Sequence, residues 1–234
     1  MTQSMRLLLT RPEPDATRSA ATLRQRGHTV VVAPLMRMAP LAAEFAGAFD
    51  AVLATSANAA RAIAAHARVG ELRALPLFAI GARSAAAARD AGFANVISAD
   101  GALADLVRLV ATQLRGGARL LYLAGEDRAG DLAGDLRRHD ITVDTVVIYR
   151  AVPLDALPRE AVASIGALDG VLHYSRRGAE TLLRLAERGG VLARVRNLTH
   201  FCLSEEVARP LRAAGATRLT VAARPDENEL FRVL

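Results

Sequence analysis

Five short stretches of the sequence combine small polar side chains in a way that suits the capture of an anion. They are Thr55-Ser56-Ala57-Asn58, Gly81-Ala82-Arg83-Ser84, Gly125-Glu126-Asp127-Arg128, Tyr174-Ser175-Arg176-Arg177-Gly178 and Leu203-Ser204-Glu205-Glu206. Each follows an apolar, strand-like run and precedes a run of helical period, so each marks the carboxyl end of a strand where a helix begins. Backbone N–H groups lack partners at a helix start, the helix dipole is positive there, and hydroxyl or amide groups add further donors. Carboxylate and phosphate are the ligands such a turn favours. Any one of these Ser or Asn residues also reads as an ordinary N-cap. Five in one chain point to a shared anion-binding cleft.

Other chemistry is thinly represented. All 30 basic residues are Arg and none is Lys, which excludes Schiff-base chemistry, a pyridoxal-phosphate anchor and a Gly-Lys-Ser/Thr phosphate loop. The one cysteine, Cys202, lies in the apolar run Thr199 to Leu203; it excludes a disulfide framework and a cysteine-based zinc cluster. No G-x-G-x-x-G follows a strand, no G-x-S-x-G elbow occurs, and His28, His66, His139, His173 and His200 show no metal-ligand spacing. No metal site is expected. His28 and His139 fall at turns between helix and strand and are expected to be solvated; His173 and His200 fall inside strands and are expected in the core. Glu126-Asp127 and Glu205-Glu206 sit at helix starts, where they complement the dipole better than they suit general acid catalysis. A net charge of +6 fits an anionic partner. Scattered arginines and 4% aromatic residues argue against nucleic acid.

The elements that must position these turns follow from composition and period. With 234 residues, 52% hydrophobic and 23% charged, disorder is excluded and two compact domains are expected. The core must be aliphatic, because there is no Trp and Ala alone fills 49 positions. No uninterrupted apolar window of 18 residues occurs and no export signal opens the chain, so a soluble cytoplasmic protein is expected. Ten apolar or β-branched runs read as strands: Arg6 to Thr10, Thr29 to Ala33, Ala51 to Thr55, Leu77 to Ile80, Asn95 to Ser98, Arg119 to Ala124, Thr142 to Tyr149, Gly170 to Tyr174, Thr199 to Leu203 and Arg218 to Ala222. Alternation with helices gives an α/β fold with parallel sheets, and ten strands suit two five-stranded sheets.

The chain also resembles itself. Leu23 to Val30 matches Leu136 to Val143, and Arg37 to Pro40 matches Arg150 to Pro153, both at an offset of 113; Ala51 to Ser56 resembles Gly170 to Ser175, and Phe78 to Gly92 resembles Phe201 to Gly215. The order is X-Y-X′-Y′, which by itself allows one X-Y unit per domain in tandem. The extended, Pro-terminated segments 36–40 and 149–153 instead read as two crossings side by side, which makes one domain an insertion. On that reading the domains are 1–35 with 154–234, and 41–148.

In order and spacing the chain resembles the uroporphyrinogen-III synthase family over essentially its whole length. The matching pieces are Leu8-Leu9-Thr10-Arg11-Pro12, Gly27-His28-Thr29-Val30, Ala33-Pro34-Leu35, Ala54 to Ala59, Ala79-Ile80-Gly81, Gly125-Glu126-Asp127-Arg128 and Val147-Ile148-Tyr149-Arg150. Ser204-Glu205-Glu206 looks like the bacterial form and departs from a Gly-Pro-Thr-Thr version found in other members, which puts the hydroxyl contacts of that version in doubt. The resemblance implies two flavodoxin-like domains, one inserted in the other and joined by a two-stranded ladder. It implies a monomeric, cofactor-free lyase that cyclises hydroxymethylbilane to uroporphyrinogen III in the cleft between domains, with loss of water and inversion of ring D, and possible hand-over from hydroxymethylbilane synthase. Tyr149 is then the expected proton donor to the departing hydroxyl. Thr55, Ser56, Asn58, Gly81, Ser84, Gly125, Ser175 and Ser204 are expected to hold substrate carboxylates, with Arg11 and Arg128 adding charge. A non-enzymatic small-anion binder is the rival reading; a nucleotide-dependent Rossmann-like enzyme is disfavoured by the missing glycine fingerprint.

Overall fold

A computed structural model describes residues 4–128 and 130–234. The chain divides into two compact units, one built from the chain up to Arg37 with Val152–Leu234, the other from Met38–Ala151. In the first unit, β1 (Arg6–Leu9), β2 (Thr29–Val32), β9 (Gly170–His173), β10 (Thr199–Cys202) and β11 (Leu219–Val221) form a parallel five-stranded sheet in the order β11-β10-β9-β1-β2. The second sheet has six strands rather than five. It runs β3 (Met36–Pro40), β8 (Thr142–Pro153), β7 (Arg119–Gly125), β4 (Ala51–Ala54), β5 (Leu77–Ala79), β6 (Val96–Ser98). The sixth strand arises because β8 does not stop at Tyr149 but continues to Pro153, and the first crossing, β3, hydrogen-bonds beside it at the sheet edge. An edge is where a strand ending in Pro can be accommodated.

Strand register makes the repeat physical. In the first unit Leu8 faces Val31 on one side and Val171 on the other; in the second Leu121 faces Asp144 and Val52. These are the sequence offsets of 113 and 119. Phe201 opposite Leu172 likewise answers Phe78 opposite Leu53. The repeated segments therefore take the same spatial order in both sheets, although the chain visits them in different sequence.

Central strands are buried on both faces: every residue of Ala51–Ala54 and of Leu120–Gly125 is buried, as parallel sheets require. Alanine lets the covering helices approach closely. In the second unit α2 (Ala57–Ile63) buries Ala59, Ala60 and Ile63 beside α4 (Ala82–Asp90), which buries Ser84, Ala85, Ala87 and Ala88.

Two of the histidine expectations divide. His28 is buried rather than solvated, because its Nδ1 accepts the Met5 N–H at 3.3 Å. His139 is exposed. His173 and His200 are fully enclosed in the first unit, with His173 Nε2 and His200 Nδ1 2.9 Å apart and His200 Nε2 3.1 Å from the Val195 carbonyl. A carbonyl can only accept, so His200 carries its proton on Nε2; its Nδ1 then accepts from His173 Nε2. His173 Nδ1 is left as a buried acceptor with no hydrogen-bond partner among the described residues. Cys202 lies on the neighbouring strand opposite His173, its thiol pushed up to about 12 by burial, so it offers no charge to an imidazolium. Burial holds the His173 pKa well below its usual value and lowers that of His200 to about 4. Such a pair supports folding fully above the unfolded value near 6.5 and loses that support as pH falls towards 4. Chemical denaturation across that window should show stability falling with acid, and the double variant His173→Leu/His200→Leu should lose that share of the slope; an unchanged slope would refute the assignment.

Candidate active site

The strand order places a switch point in each sheet, between β1 and β9 in the first unit and between β7 and β4 in the second, and open α/β sheets bind ligands at the carboxyl ends of strands there. In the second unit the chain leaves β4 through Thr55 and Ser56, and each hydroxyl meets a tyrosine from a nearby strand. Thr55 Oγ1 lies 2.7 Å from the Tyr122 hydroxyl of β7. Ser56 Oγ accepts the Asn58 N–H at 3.1 Å as the cap of α2, and its side chain stands close enough to the Tyr149 phenol of β8 to act on its acidity.

Tyr149 reaches that place through a β-bulge. Register between β7 and β8 advances by one residue at Gly125, so that Ala124 faces Val147 but Gly125 faces Tyr149. A bulge redirects side chains, and both Ile148 and Tyr149 consequently pack on the same core cluster. The Tyr149 ring then lies against the Gly125 backbone, where a Cβ would come within 2.6 Å of ring Cζ and the hydroxyl oxygen. Burial raises the Tyr149 pKa above 10, opposed by the neighbouring Ser56 side chain and aided by Tyr122 and the Asp127 carboxylate. The phenol is therefore a proton carrier at neutral pH.

The remaining expected residues are placed less uniformly. Asn58 is half-buried, its amide oxygen accepting from Arg61 at 2.8 Å. Gly81 opens α4 without a side-chain cap, whereas Ser84 points into the core face of that helix at 5% exposure. Arg128 is exposed. In the first unit, Ser175 caps α8 (Arg176–Arg188) by accepting the Gly178 N–H at 3.1 Å. Ser204 stands at the start of α10 (Glu205–Ala213) with no capping bond from its side chain.

Arg11 is taken up internally. Its guanidinium lies 4.0 Å above the Tyr174 ring and donates to Glu227 at 2.6 Å, Ser19 at 3.0 Å and Asp15 at 3.2 Å, leaving the side chain 13% exposed. Burial and the Glu227 carboxylate hold the Tyr174 phenol well above its usual pKa. Two carboxylates already neutralise Arg11, so a substrate carboxylate would have to displace them.

Sequence reasoning passed over Tyr122. Its signal was a lone hydroxyl in the apolar run Arg119 to Ala124, since a buried Tyr needs a partner. The geometry around Tyr149 gives a direct test. Gly125→Ala should cost about 1–3 kcal/mol of stability by overpacking, leave a folded protein by circular dichroism, and reduce turnover by displacing the Tyr149 ring. Full turnover would show that the ring position does not matter.

A family model described as uroporphyrinogen-III synthase HemD matches residues 17–232. None of the curated proteins compared matches the chain. Among solved structures, uroporphyrinogen-III synthetase from Helicobacter pylori superposes with a TM-score of 0.66 at 16% identity, covering 98% of this chain and 97% of that one. A mutant uroporphyrinogen III synthase from the extremely thermophilic bacterium Thermus thermophilus gives 0.50 at 16% identity, with 98% and 97% covered. These likenesses are of fold. The family match spans both units and every strand from β2 to β11, and the chain belongs to the uroporphyrinogen-III synthase family.

Proposed function

We propose that the chain cyclises hydroxymethylbilane to uroporphyrinogen III, with loss of water and inversion of ring D. The family match over residues 17–232 carries this reading. The two hydroxyl pairs after β4 support it, because the substrate class bears an acetate and a propionate on each pyrrole ring and needs donors for them. Both units read as flavodoxin-like domains, the second inserted in the first. The first sheet, taken as β2-β1-β9-β10-β11, has the flavodoxin order 2-1-3-4-5. A cytoplasmic monomer is the corresponding setting, and no helix among the described residues is long and apolar enough to cross a membrane. Direct hand-over from hydroxymethylbilane synthase suits a substrate that closes spontaneously to the wrong isomer.

Departure of the terminal hydroxyl is driven by the electron-rich pyrrole to which it is attached. The protein has to hold the chain bent, bind its carboxylates and prevent closure without inversion, which is catalysis by orientation. Tyr149 gives a proton to the leaving hydroxyl, which departs as water and leaves a protonated azafulvene; the proton this cation releases at ring closure restores the phenol. The Ser56 side chain stands beside the phenol and Gly125 makes room for it. Thr55, Asn58, Gly81, Ser175 and Ser204 receive carboxylates through hydroxyl, amide and backbone donors, with Arg128 as the exposed charge. Supplying hydroxymethylbilane and resolving the porphyrins after oxidation tests the reading. Isomer III above the spontaneous isomer I background is expected, and isomer I alone from folded protein would overturn it. Tyr149→Phe should slow formation of isomer III by roughly tenfold or more without abolishing it; an unchanged rate would remove Tyr149 from the mechanism.

A further inference from the structure

Tyr122 is buried, with its ring packed among Leu53, Phe78, Leu106 and Leu120 on one face of the second sheet. Its body is therefore fixed, and only its hydroxyl emerges towards the end of the strand, 2.7 Å from Thr55 Oγ1. Register sets the meeting: Tyr122 stands opposite Leu53, and Thr55 lies two residues further on, just past the end of β4. Either hydroxyl can donate in this pair; a phenol is the better donor and an aliphatic alcohol the better acceptor, so the direction taken is Tyr122 O–H donating to Thr55 Oγ1. That arrangement uses a lone pair of Thr55 and leaves its own proton available for a further acceptor. A hydroxyl that accepts one hydrogen bond is polarised into a better donor of the next.

We propose that Tyr122 is a positioning residue for the cyclisation, holding and polarising the Thr55 hydroxyl so that it donates to a substrate carboxylate. The proposal rests on the reading of the reaction given above. Thr55 is the group that touches substrate, and Tyr122 acts through it. The next hydroxyl, Ser56, differs in its surroundings: it caps α2 beside Tyr149, whereas Thr55 is bonded to Tyr122.

The test uses the full-length chain and the variants Tyr122→Phe, Thr55→Val, the double variant, and Thr55→Ser as the conservative control. Two quantities are read: KM and kcat for isomer III, and the equilibrium Kd for uroporphyrin III, a stable porphyrin with eight carboxylates, followed by its fluorescence. Tyr122→Phe should raise KM and Kd roughly three- to tenfold, the scale of one ordinary uncharged hydrogen bond. It should leave kcat within about twofold, because orientation of a bound carboxylate is shared by ground and transition states. Thr55→Val should raise both at least as far, the double variant should resemble Thr55→Val alone, and Thr55→Ser should stay near the parent protein. Unchanged KM and Kd in Tyr122→Phe, effects that multiply in the double variant, or a loss confined to kcat would each overturn the proposal. If the parent protein binds the porphyrin yet forms only isomer I, the cyclase reading fails while the Kd series still decides the role of Tyr122. If it neither binds nor cyclises, both fail.

Discussion

Register between the two central strands of each sheet is the constraint on which the rest depends. In the second unit Asp50 and Arg119 exchange two bonds: the Asp50 N–H donates to the Arg119 carbonyl and the Asp50 carboxylate accepts the Arg119 N–H, both at 2.8 Å. Asp169 and Arg6 make the same exchange in the first unit, at 2.9 and 2.6 Å. These residues are related by the repeat offsets of 119 and 113. Each bond contributes only about 1 kcal/mol, yet their effect on register is larger than that figure suggests. A strand with one buried face is held in register by its own alternation, because a slip of one residue exposes its apolar side. Strands buried on both faces, as Ala51–Ala54 and Leu120–Ala124 are, lose little hydrophobic burial on such a slip. A polar tether at the strand start can then decide the alignment.

What is fixed at the amino ends is used at the carboxyl ends. With Leu53 opposite Tyr122, the Tyr122 hydroxyl meets Thr55; a slip of one residue would turn the phenol to the other face. Between β7 and β8 the register is changed at Gly125, and the change brings Tyr149 to the strand end. The same frame carries different contents in the first unit. Equivalent positions there place Tyr174 where Thr55 stands, Leu9 where Tyr122 stands and Arg11 where Ala124 stands, and the crevice is filled by the Arg11 guanidinium with Asp15 and Glu227. Two copies of one sheet have thus diverged into a hydroxyl-lined strand end and an ion-paired one.

This division also marks what the sequence could and could not disclose. Strand positions were legible because β-branched and aliphatic runs are bounded by turn residues, and the internal repeat was legible because its offsets are carried by strand register. Short helices such as α3 (Val69–Arg73) and α9 (Leu192–Arg196) are shorter than two turns, too brief for a period to register. The side-by-side pairing of 36–40 with 149–153 was legible, but as a separate ladder; that it continues the second sheet was not, because β8 runs unbroken from Thr142 to Pro153 with nothing in the sequence to mark where the sheet ends. Arg11 offered no hint that its charge is consumed, since Glu227 lies 216 residues away in sequence. The burial of His28 depends on Met5, 23 residues earlier, for the same reason. Thr55, Ser56 and Gly125 were visible as turn residues, whereas the tyrosines that engage them became specific only when register and bulge were known.

The predominance of neutral donors at the second unit's switch point, with Arg128 as the exposed charge beside them, agrees with the chemistry proposed for it. A bidentate Arg grips a carboxylate strongly and in a fixed orientation, which suits a ligand that must stay still. Cyclisation with inversion requires part of the substrate to turn over while the remainder stays anchored. Hydroxyls and backbone N–H groups bind carboxylates individually more weakly and can exchange them without leaving a buried charge unpaired, which would be the larger cost. Arg11, which follows β1 in the first unit, is held by two carboxylates. Specificity in such a site has to come from the number and placement of weak donors, so the residues that fix those donors in space matter as much as the donors themselves.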